Sequence, residues 1–229
     1  MRCISIAAIL AVFLSGCVVR LLAQDDDYNE DSKLNTHMGI MVTAPLKPTS
    51  QFLNVGGGFT AGAGYNFSNH HALIGDFMWN RLGASDAALA PIRDAVGTND
   101  VHGHGSLFAL TANYRFELRG KTTGVYFIAG GGWYHRKATV STHVATGSSI
   151  SCTRTWEDWG FNCSSGIVTS DQTLASSISD VLGANGGVGV TFRVGESPRY
   201  RVFLEARYHY APTKNVKTEL IPITFGIRF

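Results

Sequence analysis

From residue 36 to the end of the chain, apolar and polar side chains alternate with a period of two. This alternation is typical of β-strands whose two faces meet different surroundings. It occurs in eight segments: HMGIMVTA, GGGFTAGAGYNF, HALIGDFMWNR, SLFALTANYRFEL, GVYFIAGGGWYH, NGGVGVTFRV, RYRVFLEARYHY and ELIPITFGIRF. The fifth is less clear, because apolar residues and glycines occupy both of its faces. The pattern predicts an all-β domain of eight antiparallel strands.

Each strand has one apolar and one polar face. In the last strand the apolar row runs through Ile221, Ile223, Phe225 and Ile227 to Phe229. The opposite faces of the strands carry Asp76, Asn80, Asn113, Arg115, Glu117, Arg193, Glu205, Arg207, His209 and Arg228. A soluble, lipocalin-like barrel would place the apolar row inside, whereas a membrane barrel would place it outside. Alternation alone does not decide between them.

Three observations favour the membrane barrel. Lysines avoid the strands, with only Lys137 at a predicted strand end, although water-facing sheets use lysine freely. The strand charges are mostly arginines and carboxylates, which can pair inside a packed lumen. Aromatic residues gather near strand ends, as in interfacial girdles: Tyr65, Phe67, Tyr114, Phe116, Trp133, Tyr134, Tyr208, Tyr210 and Phe229. We therefore predict an eight-stranded antiparallel up-and-down transmembrane β-barrel.

The connections alternate in length. Short ones at 68–70, 119–124 and 195–199 separate long ones at 45–56, 82–104, 139–182 and 211–219. Membrane barrels combine short periplasmic turns with longer external loops, so both ends of the domain fall on the periplasmic side. Pro222 cannot donate a ladder hydrogen bond, and we expect it near the outer rim, where water can meet the missing bond.

The N-terminal segment predicts export. Residues 1–23 resemble a secretory signal peptide, with Arg2 before an apolar stretch. Cleavage after Ala23 is one interpretation, and a lipobox that would make Cys17 a lipidated N-terminus is the other. Residues 24–35 are predicted to be an acidic, flexible lead-in, and 36–229 the barrel.

Composition agrees with this assignment. Only 16% of the residues are charged, against roughly 25% in an average soluble protein. The single long apolar run is the N-terminal one, so a helical membrane protein, which needs repeated runs of about 20 apolar residues, is excluded. Without residues 1–23 the basic and acidic residues balance, which gives no reason to expect a nucleic acid partner.

The segments GGVGVTFRV, FLEARYHY and IPITFGIRF resemble the outer-membrane β-barrel family of OmpA, OmpX and OmpW. The resemblance covers residues 36–229. It implies contact with outer-membrane lipids, periplasmic chaperones and the barrel-assembly machinery, and a terminal assembly signal at Ile223, Phe225, Ile227 and Phe229. The fold is weak guidance to function. We expect a non-enzymatic role in envelope structure, adhesion or surface contact through the loops, with the oligomeric state open.

Two cysteines, Cys152 and Cys163, lie in the longest predicted loop. In an oxidising compartment this spacing predicts a disulfide, with a metal site as the competing interpretation. Trp156, Trp159 and Phe161 lie between them and could either pack the loop or form an aromatic contact patch.

The inward charges predict a structural ion-pair network in the lumen, because an eight-stranded barrel is just wide enough to be filled by side chains. Its members are Asp76, Arg115, Glu117, Glu205, Arg207 and Arg228. Such a network argues against a general diffusion pore. A narrow channel for small solutes remains an alternative function.

The best enzymatic candidate is the sequence VHGHGSLF. His104 and Ser106 share the outward parity of the fourth strand, as in outer-membrane lipid A deacylases, which this segment resembles. That family usually places Asn after the serine, where this chain has Leu107. Glu117 points inward at the far end of the strand and cannot orient His104. A lipid-modifying hydrolase is therefore the alternative rather than the main prediction, and no cofactor or metal site is expected.

Overall fold

The computed structural model describes residues 33–154, 161–195, 200–213 and 216–229. Eight antiparallel strands close into a barrel in chain order, with the first strand paired to the last. The strands are β1 (Leu34–Pro45), β2 (Leu53–Asn66), β3 (His71–Ala84), β4 (Val101–Arg119), β5 (Thr123–Arg154), β6 (Phe161–Arg193), β7 (Arg201–Ala211) and β8 (Thr218–Arg228). The predicted fold class is confirmed.

The register sends the apolar rows outward. Ile40 of β1 lies opposite Phe225 of β8, and these side chains are 70% and 55% exposed. On the other parity, Asn80 and Asn113 are fully buried inside the barrel. The outward apolar rows therefore suit a lipid surround, and the inward polar rows form the interior.

The first strand begins slightly earlier than predicted. Leu34 and Asn35, assigned to the flexible lead-in, belong to β1. Asn35 is buried and donates to Asn66 Oδ1 at 2.7 Å. The signal peptide, both processing alternatives and most of the lead-in lie outside the described residues.

The connections follow the predicted alternation at the short-turn end. β2 and β3 are joined by residues 67–70, and β4 and β5 by 120–122, where Gly120 N–H donates to Thr123 O at 2.8 Å. At the other end, a 3-10 helix (Thr49–Gln51) follows β1 and the helix α1 (Asp86–Val96) follows β3. No helix within the described ranges has the length and apolar character needed to cross a membrane.

Local sequence explains where α1 begins and ends. Ser85 is the N-cap and its hydroxyl accepts from Ala88 N–H, while Gly97 supplies the left-handed C-cap at φ 72°. Ser85 also donates to Gln51 O at 2.7 Å. This bond ties the β3–β4 connection to the β1–β2 connection at the outer rim.

The largest departure from the predicted loops is at residues 139–182. Most of this segment is β-structure, because β5 continues to Arg154 and β6 begins at Phe161. Lys137 is therefore an interior residue of β5 rather than a strand-end residue. Period-two hydrophobicity fails here because a strand pair that leaves the barrel has no lipid face to cover.

The glycines of β5 allow close packing against β4. A Cβ atom on Gly130 would lie 2.1 Å from the Ala112 carbonyl oxygen, and one on Gly132 would lie 2.0 Å from that of Leu110. Any side chain at these positions would force the strands apart. This requirement explains why glycine interrupts the alternation of the fifth strand.

Pro222 faces the interior. It is buried and lies opposite Thr43 of β1. On the β7 side the register is unchanged, but no pairs are formed between Ala206–Ile223 and His209–Leu220. Pro222 lies near the outer rim as predicted, two pairs from the end of the β1–β8 ladder, but it is buried beside the lumen rather than open to bulk water.

Candidate functional site

One group of lumen charges surrounds Glu117 of β4. Its Oε2 lies 3.0 Å from Arg228 Nη1, 3.2 Å from Arg119 Nη2 and 3.5 Å from Arg115 Nε. Glu117 and Arg115 are each only 2% exposed. Because three guanidiniums converge on one buried carboxylate, this group is held by charge as well as by hydrogen bonds.

A second group centres on Asp76 and Arg207. Arg207 Nη1 lies 2.8 Å from Asp76 Oδ2, and its Nη2 lies 2.7 Å from Glu205 Oε1. His37 Nε2 approaches Asp76 Oδ1 at 2.8 Å. The six residues predicted from the sequence thus all lie in the interior, divided between two groups.

Tyr126 connects the two groups, and sequence reasoning missed it. Its hydroxyl donates to Glu205 Oε2 at 2.9 Å, and the Arg228 guanidinium lies 4.8 Å from its ring centroid. The ambiguous pattern of β5 concealed this inward tyrosine.

Tyr134, on the same strand, was predicted to belong to the interfacial girdle, and that prediction is wrong. It is fully buried, with its hydroxyl 2.9 Å from His209 Nδ1. Its neighbour Trp133 does face outward. Adjacent aromatics in a strand occupy opposite faces, so the two could not both belong to a girdle.

The outer half of the lumen contains a cluster of buried apolar side chains beside the buried polar pair Thr43 and Asn80. Its members are Met41, Met78, Leu82, Leu107, Ala109, Tyr134, Ala211 and Leu220. A small cavity beside Asp76 and Pro222 has room for about one water molecule, so it does not provide a pathway for a solute.

His104 and Ser106 lie outward on β4, in register with Thr139 and Lys137 of β5. Ser106 Oγ is 3.5 Å from the Lys137 carbonyl oxygen. The outer carboxylates serve other histidines: Asp100 contacts His102 and His143, and Asp180 contacts His135. Glu117 lies in the lumen. Within the described residues, no carboxylate contacts His104 in the way that a hydrolase needs.

The cysteine pair lies near the tip of the β5–β6 pair. The backbone register sets Cys152 directly opposite Cys163. The disulfide remains a prediction, and the direct pairing of the two residues is compatible with it. Trp156 and Trp159, between the cysteines, lie outside the described residues.

The predicted assembly signal lies on the outward face of β8. Ile223, Phe225 and Ile227 are all exposed, and the Phe229 N–H donates to Thr36 O at 2.8 Å. The Phe229 ring packs edge-on against Tyr200 with centroids 5.9 Å apart. The terminal residue is thus fixed to the barrel wall, while its role in assembly stays a prediction.

Beyond the outer rim, β5 and β6 continue without neighbours. β4 pairs with β5 only as far as Thr142, and β7 pairs with β6 only from Ala184. We name residues 143–154 and 161–171 the projecting ribbon. Its β5 half has twelve residues, which at about 3.3 Å per residue corresponds to roughly 40 Å. Both edges of this ribbon lack a strand partner within the described part of the chain.

The decisive comparison is with protein families. The profile of the outer membrane protein β-barrel domain matches residues 9–229. The chain belongs to this family. Membership agrees with the outward apolar rows and assigns the barrel to the outer membrane, in contact with its lipids.

Among solved structures, the barrel is similar to Ail, the attachment invasion locus protein of Yersinia pestis, at 17% identity and a TM-score of 0.48. That alignment covers 86% of this chain and 97% of Ail. Neisserial surface protein A (NspA) is 15% identical, with a TM-score of 0.47 and coverage of 86% and 96%. The N-terminal barrel of Pseudomonas aeruginosa OprF is 14% identical, with a TM-score of 0.40 and coverage of 86% and 98%. No curated protein matches the chain.

Proposed function

We propose that this outer-membrane barrel is a non-enzymatic surface-contact protein, and that the projecting ribbon binds a protein partner outside the cell. The observation that carries the proposal is the β5–β6 pairing, which runs, with two register shifts, from the barrel wall to Arg154 and Phe161, far past the last pairs with β4 and β7. A filled lumen supports it, because it leaves the barrel to act as an anchor for the ribbon.

The ribbon suits a partner that adds a strand. Unpaired strand edges present rows of backbone donors and acceptors, and natural proteins usually block them with lysine or proline. Neither residue occurs between Lys137 and Pro198 in this sequence. Recognition by strand addition combines such an edge with alternate side-chain pockets on the partner.

Charge argues for a protein rather than an acidic glycan. Between residues 139 and 182 the sequence contains one basic residue, Arg154, and four acidic ones, Glu157, Asp158, Asp171 and Asp180. Ail has been crystallised with the heparin analogue sucrose octasulfate. The acidic excess of this segment would repel such a ligand, so we propose a different class of partner here.

The remaining parts of the proposal concern maturation. Residues 1–23 would direct export, with cleavage after Ala23 or lipidation at Cys17. The row from Ile223 to Phe229 would be read by the assembly machinery after delivery by periplasmic chaperones. A Cys152–Cys163 disulfide would close the ribbon tip and stabilise it by roughly 3 kcal/mol on the chain-entropy model.

The test is a shortened ribbon. Replacing residues 145–169 with Asn-Gly would join Val144 to Ser170 through a two-residue turn and leave the barrel intact. The matched control replaces α1 at the same rim with a Gly-Ser linker. Bacteria producing each protein are compared for retention on surfaces coated with extracellular-matrix proteins, after gel mobility with and without boiling has verified a folded barrel.

We expect the intact and α1-replaced proteins to retain cells and the shortened protein to lose retention. Ser148→Lys with Ser170→Lys, two exposed ribbon positions, should weaken retention by blocking strand addition, whereas Ser68→Lys in a periplasmic turn should not. Equal retention by the shortened protein would contradict the proposal, as would no retention above cells that lack the barrel.

A further inference from the structure

Four side chains from four segments meet on the outer face at the base of the ribbon. Asp100 ends the connection that follows α1, His102 lies on β4, His143 lies on β5 and Asp171 lies on β6. The register pairs Val101 with Thr142, so His102 and His143 are diagonal neighbours on one face. Ligand atoms of Asp100, His102 and His143 all lie within 4.8 Å of one another.

Asp100 contacts both imidazoles. His102 Nε2 lies 2.6 Å from Asp100 Oδ1, and His143 Nδ1 lies 3.2 Å from Asp100 Oδ2. A zinc ion with bonds of about 2.0–2.1 Å in tetrahedral geometry separates neighbouring ligand atoms by roughly 3.3 Å. The three groups therefore need only small shifts to surround such an ion, with a fourth position open to water.

His143 also contacts a second carboxylate. Its other ring nitrogen, Nε2, lies 3.0 Å from Asp171 Oδ1, so both nitrogens face carboxylates. A neutral imidazole has one N–H, and its other nitrogen carries a lone pair. With the N–H directed at Asp171, the lone pair on Nδ1 is available to a metal ion.

The arrangement around His143 is the one that metal sites use. A ligating histidine commonly donates its remote N–H to a carboxylate, which fixes the tautomer and directs the other nitrogen at the metal. Asp171 is placed for that role, and Nδ1 then faces the shared space with Asp100 and His102. Two imidazoles with one carboxylate suit zinc-class ions rather than magnesium or calcium.

We propose that Asp100, His102 and His143 form a binding site for a divalent transition metal of the zinc class, with Asp171 as the residue that orients His143. The site departs from the sequence-based expectation of no metal. A bound ion would join the connection after α1 to β4 and β5, and so fix the base of the ribbon. The proposal does not depend on what the ribbon binds.

The test uses the mature protein, folded in detergent and purified without a histidine tag, titrated with zinc chloride by calorimetry. We expect one zinc per chain and no comparable binding of magnesium. His102→Ala and His143→Ala should each abolish or greatly weaken binding, and Asp171→Asn should weaken it about 10–100-fold. Gel mobility with and without boiling verifies that each variant is folded.

The control is His135→Ala. His135 contacts one carboxylate, that of Asp180, with 2.8 Å between Nδ1 and Oδ1, on the same two strands. Its removal should leave zinc binding unchanged. The ribbon-shortened protein keeps His143 and Asp171, so it should still bind zinc even if retention is lost.

Two results would overturn the proposal. One is zinc binding that survives His102→Ala or is lost equally in His135→Ala. The other is no zinc binding by the intact, folded protein.

Discussion

The carboxylates of the lumen and those at the base of the ribbon have opposite partners. Glu117 is 2% exposed and faces three guanidiniums, whereas the Asp100 side chain is 49% exposed and faces two imidazoles. Arginine keeps its charge at all relevant pH values, but an imidazole can lose a proton and bind a metal. The hydrogen bond from His102 lowers the pKa of Asp100, and His143 adds to the effect. The carboxylate–arginine pairs in the lumen therefore stay charged, whereas the carboxylate–histidine contacts at the base of the ribbon can change with pH or with bound metal.

The largest expected effect is on the Glu117 group in the lumen. Glu117→Gln removes the carboxylate and leaves Arg115, Arg119 and Arg228 without their shared counter-charge. Breaking a buried pair from one side costs about 3–5 kcal/mol, so the free energy of unfolding should fall by that amount. Urea unfolding of the barrel in lipid vesicles, followed by tryptophan fluorescence, measures it.

A double variant separates charge from packing. Glu117→Gln combined with Arg228→Met removes one of the unpaired cations and should recover part of the lost stability. If the double variant is as unstable as the sum of the single variants, the group is not held together by charge.

An intermediate effect compares the two parts of β5. Gly130→Ala would place a Cβ 2.1 Å from the Ala112 oxygen inside the wall, and overpacking of this kind costs about 1–3 kcal/mol. Gly147→Ala in the projecting ribbon meets nothing within 4 Å and should change stability by less than about 0.5 kcal/mol. The same unfolding assay measures both, and equal losses would mean that the ribbon packs against something.

The smallest effect belongs to an exposed pair. Asp180→Asn removes the contact with His135, and exposed ion pairs contribute about 0–1 kcal/mol. Its unfolding midpoint should lie close to that of the unchanged protein. A loss as large as that of Glu117→Gln would remove the distinction between inner and outer carboxylates.

The barrel could be predicted from the sequence because lipid requires one face of every membrane-spanning strand to be apolar. Spacing placed Ile223, Phe225 and Ile227 on one face and Arg228 on the other, and the scarcity of lysine in the strands, the types of charge and the aromatic strand ends indicated that the apolar face points outward. The inward positions of Tyr126 and Tyr134 could not be predicted, because the glycines of β5 interrupt the alternation of apolar and polar residues. Those glycines are required where the strand backbones approach closely, and side-chain periodicity does not reveal that requirement.

The ribbon and its histidines could not be found in this way. The sequence of the ribbon is mostly polar, so no hydrophobic period marks it as β-structure. His102 and His143 are far apart in the chain, and only the β4–β5 register, which pairs Val101 with Thr142, brings them together. The sequence motif that contains His102 instead drew attention to His104 and Ser106.

The position of Arg228 has a consequence for how the barrel opens and closes. It lies on β8, at the seam with β1, yet its carboxylate partner Glu117 lies on β4, across the lumen. On the other side of the seam, His37 of β1 reaches Asp76 of β3. Parting β8 from β1 would therefore separate charges in the interior as well as break a backbone ladder. Separation of β8 from β1 therefore has to break lumen ion pairs and ladder hydrogen bonds together. We expect opening to be cooperative and slow, and a barrel that has closed in the membrane to persist.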